Sequence, residues 1–188
     1  MTAKLPDVLA PDLAIVFCGT AAGSRSAEIG AYYAGQGNLF WQTLAATGLT
    51  PRKLNPEEFL TLLDYRLGLT DLVKTQSGCD RDLSLSGFDI PGFCDRINRF
   101  RPKIIAFNGK AAAKAFFGRS VAYGGPLFDD RIGDTAIFVL PSTSGAARRW
   151  WGEERWEDLI KMVSHLSHDD WGLSKRDAYH RLRRGKIT

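Results

Sequence analysis

The sequence predicts an α/β fold with a central, mainly parallel four-stranded sheet. Three observations carry this: four short apolar runs with the composition of buried strands, helix-patterned stretches between them, and a length of 188 residues, which suits one domain with a substantial core. The runs are Leu13 to Cys18, Leu67 to Val73, Lys103 to Phe107 and Ala136 to Leu140. Strands that follow one another in parallel need crossovers, and crossover helices lie on the sheet, so both faces are expected to be covered.

The helices are placed by their end signals. Asn38 to Thr47 runs into Gly48, a residue suited to a helix C-terminus. Asn55-Pro56-Glu57-Glu58 supplies a cap, a first-turn proline and two acids before an apolar-periodic stretch ending at Tyr65. Further helices are predicted near Pro91 to Phe100, Lys110 to Phe117 and Glu153 to Leu166. One domain over residues 1–168 is expected, followed by a basic tail over 169–188; from Gly172 onward six cations, Lys175, Arg176, Arg181, Arg183, Arg184 and Lys186, face a single acid, Asp177. That tail reads either as a DNA-grasping segment or as a solvated terminus.

Bulk composition narrows the function classes. Hydrophobic residues at 44% and charged residues at 24% are ordinary globular usage, and no apolar run approaches the ~20 residues of a membrane helix. The opening MTAKLPDVLAPDL lacks the apolar core of a secretory signal, so a cytoplasmic, monomeric protein without membrane association is expected. Cys18, Cys79 and Cys94 share no metal-binding spacing, and neither a metal nor another cofactor is expected. A net charge of +4 and a pI near 9.0 lean toward an acidic partner such as nucleic acid.

In open parallel sheets ligands bind beyond the carboxyl ends of the strands, so the segments that follow the runs are the informative ones. After the first comes Gly19-Thr20-Ala21-Ala22-Gly23, a small-residue loop that lets backbone amides approach a ligand. It has neither of the common nucleotide-loop spacings, GxGxxG or GxxxxGK[ST], which disfavours a nucleotide-cofactor enzyme. After the fourth comes Pro141-Ser142-Thr143-Ser144-Gly145-Ala146-Ala147-Arg148-Arg149, joining hydroxyls and glycine to paired arginines, a combination suited to phosphate contact and entry into a duplex.

Taken together, FCGTAAG, GNLFW, YRLGLTDLV, RDLS, IAFNGK and LPSTSGAAR, in this order from about Leu13 to Leu166, resemble the mismatch-specific uracil and thymine-DNA glycosylases, whose first motif reads FCGINPG. The resemblance implies a three-layer α/β/α sandwich with double-stranded DNA, carrying a damaged or mismatched base, across the carboxyl ends of the strands. It implies that the base is flipped out and hydrolysed from its sugar by water, with no lyase step. Tyr33 falls where the family stacks the flipped base, with Tyr32 as the neighbouring alternative; Gly19 to Gly23 and Asn108 would line the pocket. The resemblance carries phosphate pinching over to Ser142 and Ser144 and the wedge to Gly145, Ala146 and the arginines, with Arg148 or Arg149 filling the vacated stack. Asn38 and Lys110 would contact DNA or cap their helices.

The chain departs from the family at the position that matters most. Where the family's Asn positions the attacking water stands Ala21, followed by Ala22, and alanine has no polar side-chain atom. Either hydrolysis is lost, leaving a protein that binds lesions without cutting, or another group holds the water. Asp71 is the first candidate, because it ends the second strand run where related enzymes face a polar residue toward the base. Asp82 is second, with a turn or cap as its plainer role, and Glu28 is third. Uracil is the expected base, with hypoxanthine, xanthine or mismatched thymine left open. Ala146 is smaller than the Leu of the bacterial pattern, so a weaker plug is expected.

Overall fold

The computed structural model describes residues 2–125 and 130–166. The sequence-predicted basic tail lies outside the described residues. Four parallel strands, β1 (Ile15–Ala22), β2 (Leu67–Ser77), β3 (Ile104–Asn108) and β4 (Ala136–Leu140), form one sheet in the order β2-β1-β3-β4. Helices α1 (Ser24–Ile29), α2 (Phe40–Ala46), α3 (Ile90–Phe100), α4 (Lys110–Phe117) and α5 (Glu154–Leu166), with a 3-10 helix over Pro56–Tyr65, complete the frame.

The period-two alternation of the strands divides their side chains between two cores. Ile15, Phe17, Leu67, Leu69, Ile104, Ala106, Ala136 and Phe138 face a layer containing Phe40, Trp41 and Leu44 of α2, Leu62, and Trp156, Leu159 and Val163 of α5. Val16, Cys18, Leu72, Ile105, Phe107, Ile137 and Val139 face the opposite layer, with Phe93 and Ile97 of α3 and Ala112 and Ala113 of α4. The expected three-layer α/β/α arrangement is therefore present.

Local chemistry explains most boundaries. Asn55 and Glu58 form a reciprocal capping box with Pro56 in the first turn, and Glu58 also pairs with Arg52. Asp89 accepts from the Gly92 amide at 3.0 Å to start α3. Two expectations need correction. Pro56–Tyr65 winds as a 3-10 helix, and Gly19 to Ala22, read from the sequence as a loop, continue β1 as strand. Beyond Cys18, β1 pairs only with β2, through Gly19 with Asp71 and Ala21 with Val73, before the register jumps to Ala22 with Ser77. Backbone pairing holds this segment extended although its small side chains carry no strand signature.

The first crossover covers one face and leads to β2, on one side of β1; the chain later returns over the other face to β3, on the opposite side. The carboxyl ends of β1 and β3 thus flank the point where the sheet's winding changes direction, the place where such sheets take ligands.

Candidate functional site

Along the α2 face the sheet presents two apolar rows, Leu67-Ile15-Ile104-Ala136 and Leu69-Phe17-Ala106-Phe138. Two residues further on, the same alternation gives Asp71 on β2, Gly19 on β1 and Asn108 on β3, at the carboxyl edge. Chemistry enters the sheet at this third row.

Asp71 is 3% exposed, and no hydrogen bond to its carboxylate occurs among the described residues. Burial is the main cause that pushes its carboxyl up to about 7; the Lys74 cation opposes the shift and Asp7 adds to it. An unpartnered buried carboxyl is costly, and such groups concentrate at functional sites. Gly19 makes the placement possible: a Cβ there would lie 2.6 Å from Asp71 Oδ1 and 3.6 Å from the Tyr33 hydroxyl.

Tyr33 reaches the row from above. Its backbone has φ +54°, a left-handed conformation rare outside glycine and a mark of a residue held in place by its surroundings. Its ring stacks on Phe40, with centroids 4.0 Å apart and planes at 26°. The hydroxyl is buried without a hydrogen-bond partner. Burial, and then the neighbouring Asp71, raise its pKa well above the tyrosine range, while the Asn108 side chain opposes them. Tyr32, the alternative, is a core residue: its hydroxyl donates to Pro6 O at 3.0 Å and accepts from Lys74 Nζ at 3.1 Å.

Behind Asp71 lies a charged cluster that sequence reasoning missed. Asp7 binds Lys74 Nζ at 2.7 Å and Arg96 Nε at 3.1 Å and accepts from Thr70 Oγ1 at 2.7 Å. The only signal for it in the sequence is a lone Lys directly after an apolar stretch, which gives no hint of a partner 67 positions away. Phe40, the platform beneath Tyr33, likewise has no sequence signal beyond its place in GNLFW.

The segment after β4 closes the site. Thr143, fully buried, exchanges two hydrogen bonds with the Asn108 side chain and accepts from Leu39 N at 2.9 Å. Ser142 Oγ accepts from Ser144 N at 3.2 Å, and Ser144, Ala146, Arg148 and Arg149 are exposed, with Gly145 starting a 3-10 turn (Gly145–Trp150). A Cβ on Gly37 would meet Arg148 Nη2 at 3.2 Å, so the guanidinium rests on the backbone of the GNLFW loop. Asn38 Oδ1 accepts from Phe40 N at 2.9 Å, the first helical N–H of α2, from one residue ahead of the cap position, which is Leu39 and not Asn38. Lys110 opens α4 and lies over the Tyr123 ring, 4.1 Å from its centroid.

The other acid candidates sit in solvent. Asp82 is 64% exposed beside Arg81, and Glu28 is 66% exposed and paired with Arg25 at 2.9 Å. Thr20 and Ala21 are half-buried on β1 next to the row, Ala22 is buried and Gly23 is exposed. Among the described residues no cluster of three or more His, Cys, Asp or Glu could hold a metal ion.

Comparison with known proteins fits this geometry. The solution NMR structure of a candidate uracil DNA glycosylase from Methanosarcina acetivorans superposes with a TM-score of 0.60 at 25% identity, over 86% of this chain and 97% of that one. The family model described as the uracil DNA glycosylase superfamily matches residues 6–163. With the family model spanning both cores and every element that frames the site, the chain belongs to the uracil DNA glycosylase superfamily.

Proposed function

We propose that the protein is a monofunctional DNA glycosylase that flips a deaminated base, uracil first, out of double-stranded DNA and hydrolyses its N-glycosidic bond, with Asp71 holding the attacking water. The observation that carries this reading is the grouping of the buried Asp71 side chain with the unpartnered Tyr33 hydroxyl and Asn108 at the switch point of the sheet. Chemistry on a stacked base requires its extrusion, and the half-buried Tyr33 ring, backed by Phe40 on one face, offers the other to a flipped base.

The glycosidic bond breaks with its electron pair leaving on the base, and positive charge grows on the sugar. Ionised Asp71 stabilises that charge, orients water, and takes the proton released as water oxygen bonds to the anomeric carbon. Backbone groups from Thr20 to Gly23 receive the departing base anion in this reading, which the end of β1–β3 pairing at Cys18 supports. Arg148 and Arg149, with Ser142, Ser144 and Lys110, supply phosphate contacts and the filling of the vacated stack.

A panel of duplexes bearing single uracil, hypoxanthine, xanthine or T·G sites, assayed for abasic product and for binding, tests the reading. Abasic product from at least the uracil duplex is expected. Tight binding with no product from any duplex would favour the second reading, which the alanine at position 21 keeps alive: a lesion-binding protein without hydrolytic activity.

A further inference from the structure

Thr143 is the buried junction of three segments. Its backbone N–H donates to Asn108 Oδ1 at 3.0 Å, its Oγ1 accepts from Asn108 Nδ2 at 2.8 Å, and its carbonyl accepts from Leu39 N at 2.9 Å. The same two loops touch again further out, where a Cβ on Gly145 would lie 3.2 Å from Gln36 O and where Arg148 rests on Gly37. Residues 36–39 and 142–148 thus form one block, and Thr143 hydrogen-bonds it to Asn108 at the end of β3.

The link fixes an orientation. A backbone N–H is a donor only, so the atom facing it must be the Asn108 amide oxygen, and the amide cannot turn over without setting donor against donor. Asn108 Nδ2 then spends one hydrogen on Thr143 Oγ1 and retains one. Asn108 stands in the third row of the sheet beside Gly19, where an added Cβ would lie 3.6 Å from the Tyr33 hydroxyl, so the remaining hydrogen is at the edge of a pocket that holds an unpartnered phenol oxygen. Oγ1 also keeps Nδ2 from swinging away in a residue only 9% exposed.

We propose that Thr143 is a positioning residue: it locks the Asn108 amide so that a donor faces the pocket formed by Tyr33 and Asp71, and so couples seating of the DNA-facing 142–148 loop to the geometry of base excision. The assignment rests on the glycosylase reading above and extends it to a residue that touches neither base nor sugar. The half-buried Ser142 and the exposed Ser144 serve phosphate; Thr143 between them serves the pocket.

Thr143→Val keeps the shape and the backbone N–H and removes the acceptor for Nδ2. Its single-turnover excision rate at saturating protein should fall about tenfold, with duplex Kd within about twofold of the parent. Thr143→Ser should recover the rate to within about threefold. In an Asn108→Ala background the same Thr143→Val change should cost less than about twofold, because its target is gone. Should the valine protein not fold, the comparison of Thr143→Ser with Thr143→Ala isolates the hydroxyl alone. Equal rates for parent and Thr143→Val, or an equal loss with and without Asn108, would overturn the proposal. A parent that excises no base at all overturns the glycosylase reading instead.

Discussion

Asp71 concentrates the energetic tension of the site in one side chain. Its carboxyl sits near 7 because burial disfavours the charged form, so in the folded state it binds a proton over a pH range where the unfolded chain has released it. The sign follows: between the ordinary carboxylate pKa and about 7 the folded state holds more protons, so stability falls as pH rises through that window and levels off above it. Replacing the carboxylate by an amide removes the ionisation. The stability of Asp71→Asn relative to the parent should therefore increase between pH 5 and pH 8 by about 2–3 kcal/mol, read from urea unfolding at both values. Excision should move the other way: the parent's single-turnover rate climbs with pH to a plateau above about 7, while Asp71→Asn loses the limb and runs at least ~100-fold below the plateau. A substitution neutral in both measurements would remove Asp71 from the chemistry. The position of Asp71 was legible in the sequence because a lone acid interrupts the apolar run Leu67 to Val73, although β2 continues past it to Ser77. The lack of any partner was not, since that depends on what Gly19, Tyr33 and Asn108 leave around it, and neither was Thr143, whose hydroxyl looked like one of three equivalent ones.

At the scale of elements, legibility followed side-chain bulk. β4 is found at Ala136–Leu140 and α4 at Lys110–Phe117, as read, because branched residues and a glycine after the last turn announce them. β1 runs four residues past its predicted end through Gly19, Thr20, Ala21 and Ala22, whose pattern carries no period; backbone pairing to β2 alone sets that extension. α1, six residues with one buried side chain, Ser26, is too short for an apolar stripe to show. The glycine in this extended stretch is demanded by volume, not by dihedral freedom. Gly19→Ala should push Asp71 from its seat, costing about 1–3 kcal/mol of stability by overpacking and a larger share of the excision rate than of DNA affinity. Gly35→Ala, where an added Cβ meets nothing within 4 Å, is the matched comparison. Equal behaviour of the two variants would mean that the third row tolerates a side chain and does not constrain Asp71.

For the whole molecule, alternation of strands and helices was enough to give the sheet and its two covered faces, because each buried run had to find a layer on either side. The partition of charge is a property of the chain as a whole. Residues 169–188 hold six Lys or Arg against three Asp, and so account for +3 of the net +4. The 168 residues before them are close to neutral, although they contain Arg148, Arg149 and Lys110 beside the site. Among the described residues the core on the α2 face ends on α5 with Val163, and comparing the urea midpoint of a protein lacking residues 169–188 with that of the full chain reads what the tail adds to stability. Long-range attraction to a polyanion is a different matter, since each phosphate neutralised contributes about 0.9 to the slope of log K against log salt. If the tail grips DNA, the truncated protein should bind a lesion duplex more weakly at low salt and with a shallower slope, while its single-turnover rate at saturating protein stays that of the full chain. Fluorescence anisotropy between 50 and 200 mM salt reads both quantities. Coincident curves for the two proteins would make the tail a solvated terminus and leave affinity to the 142–148 loop and Lys110.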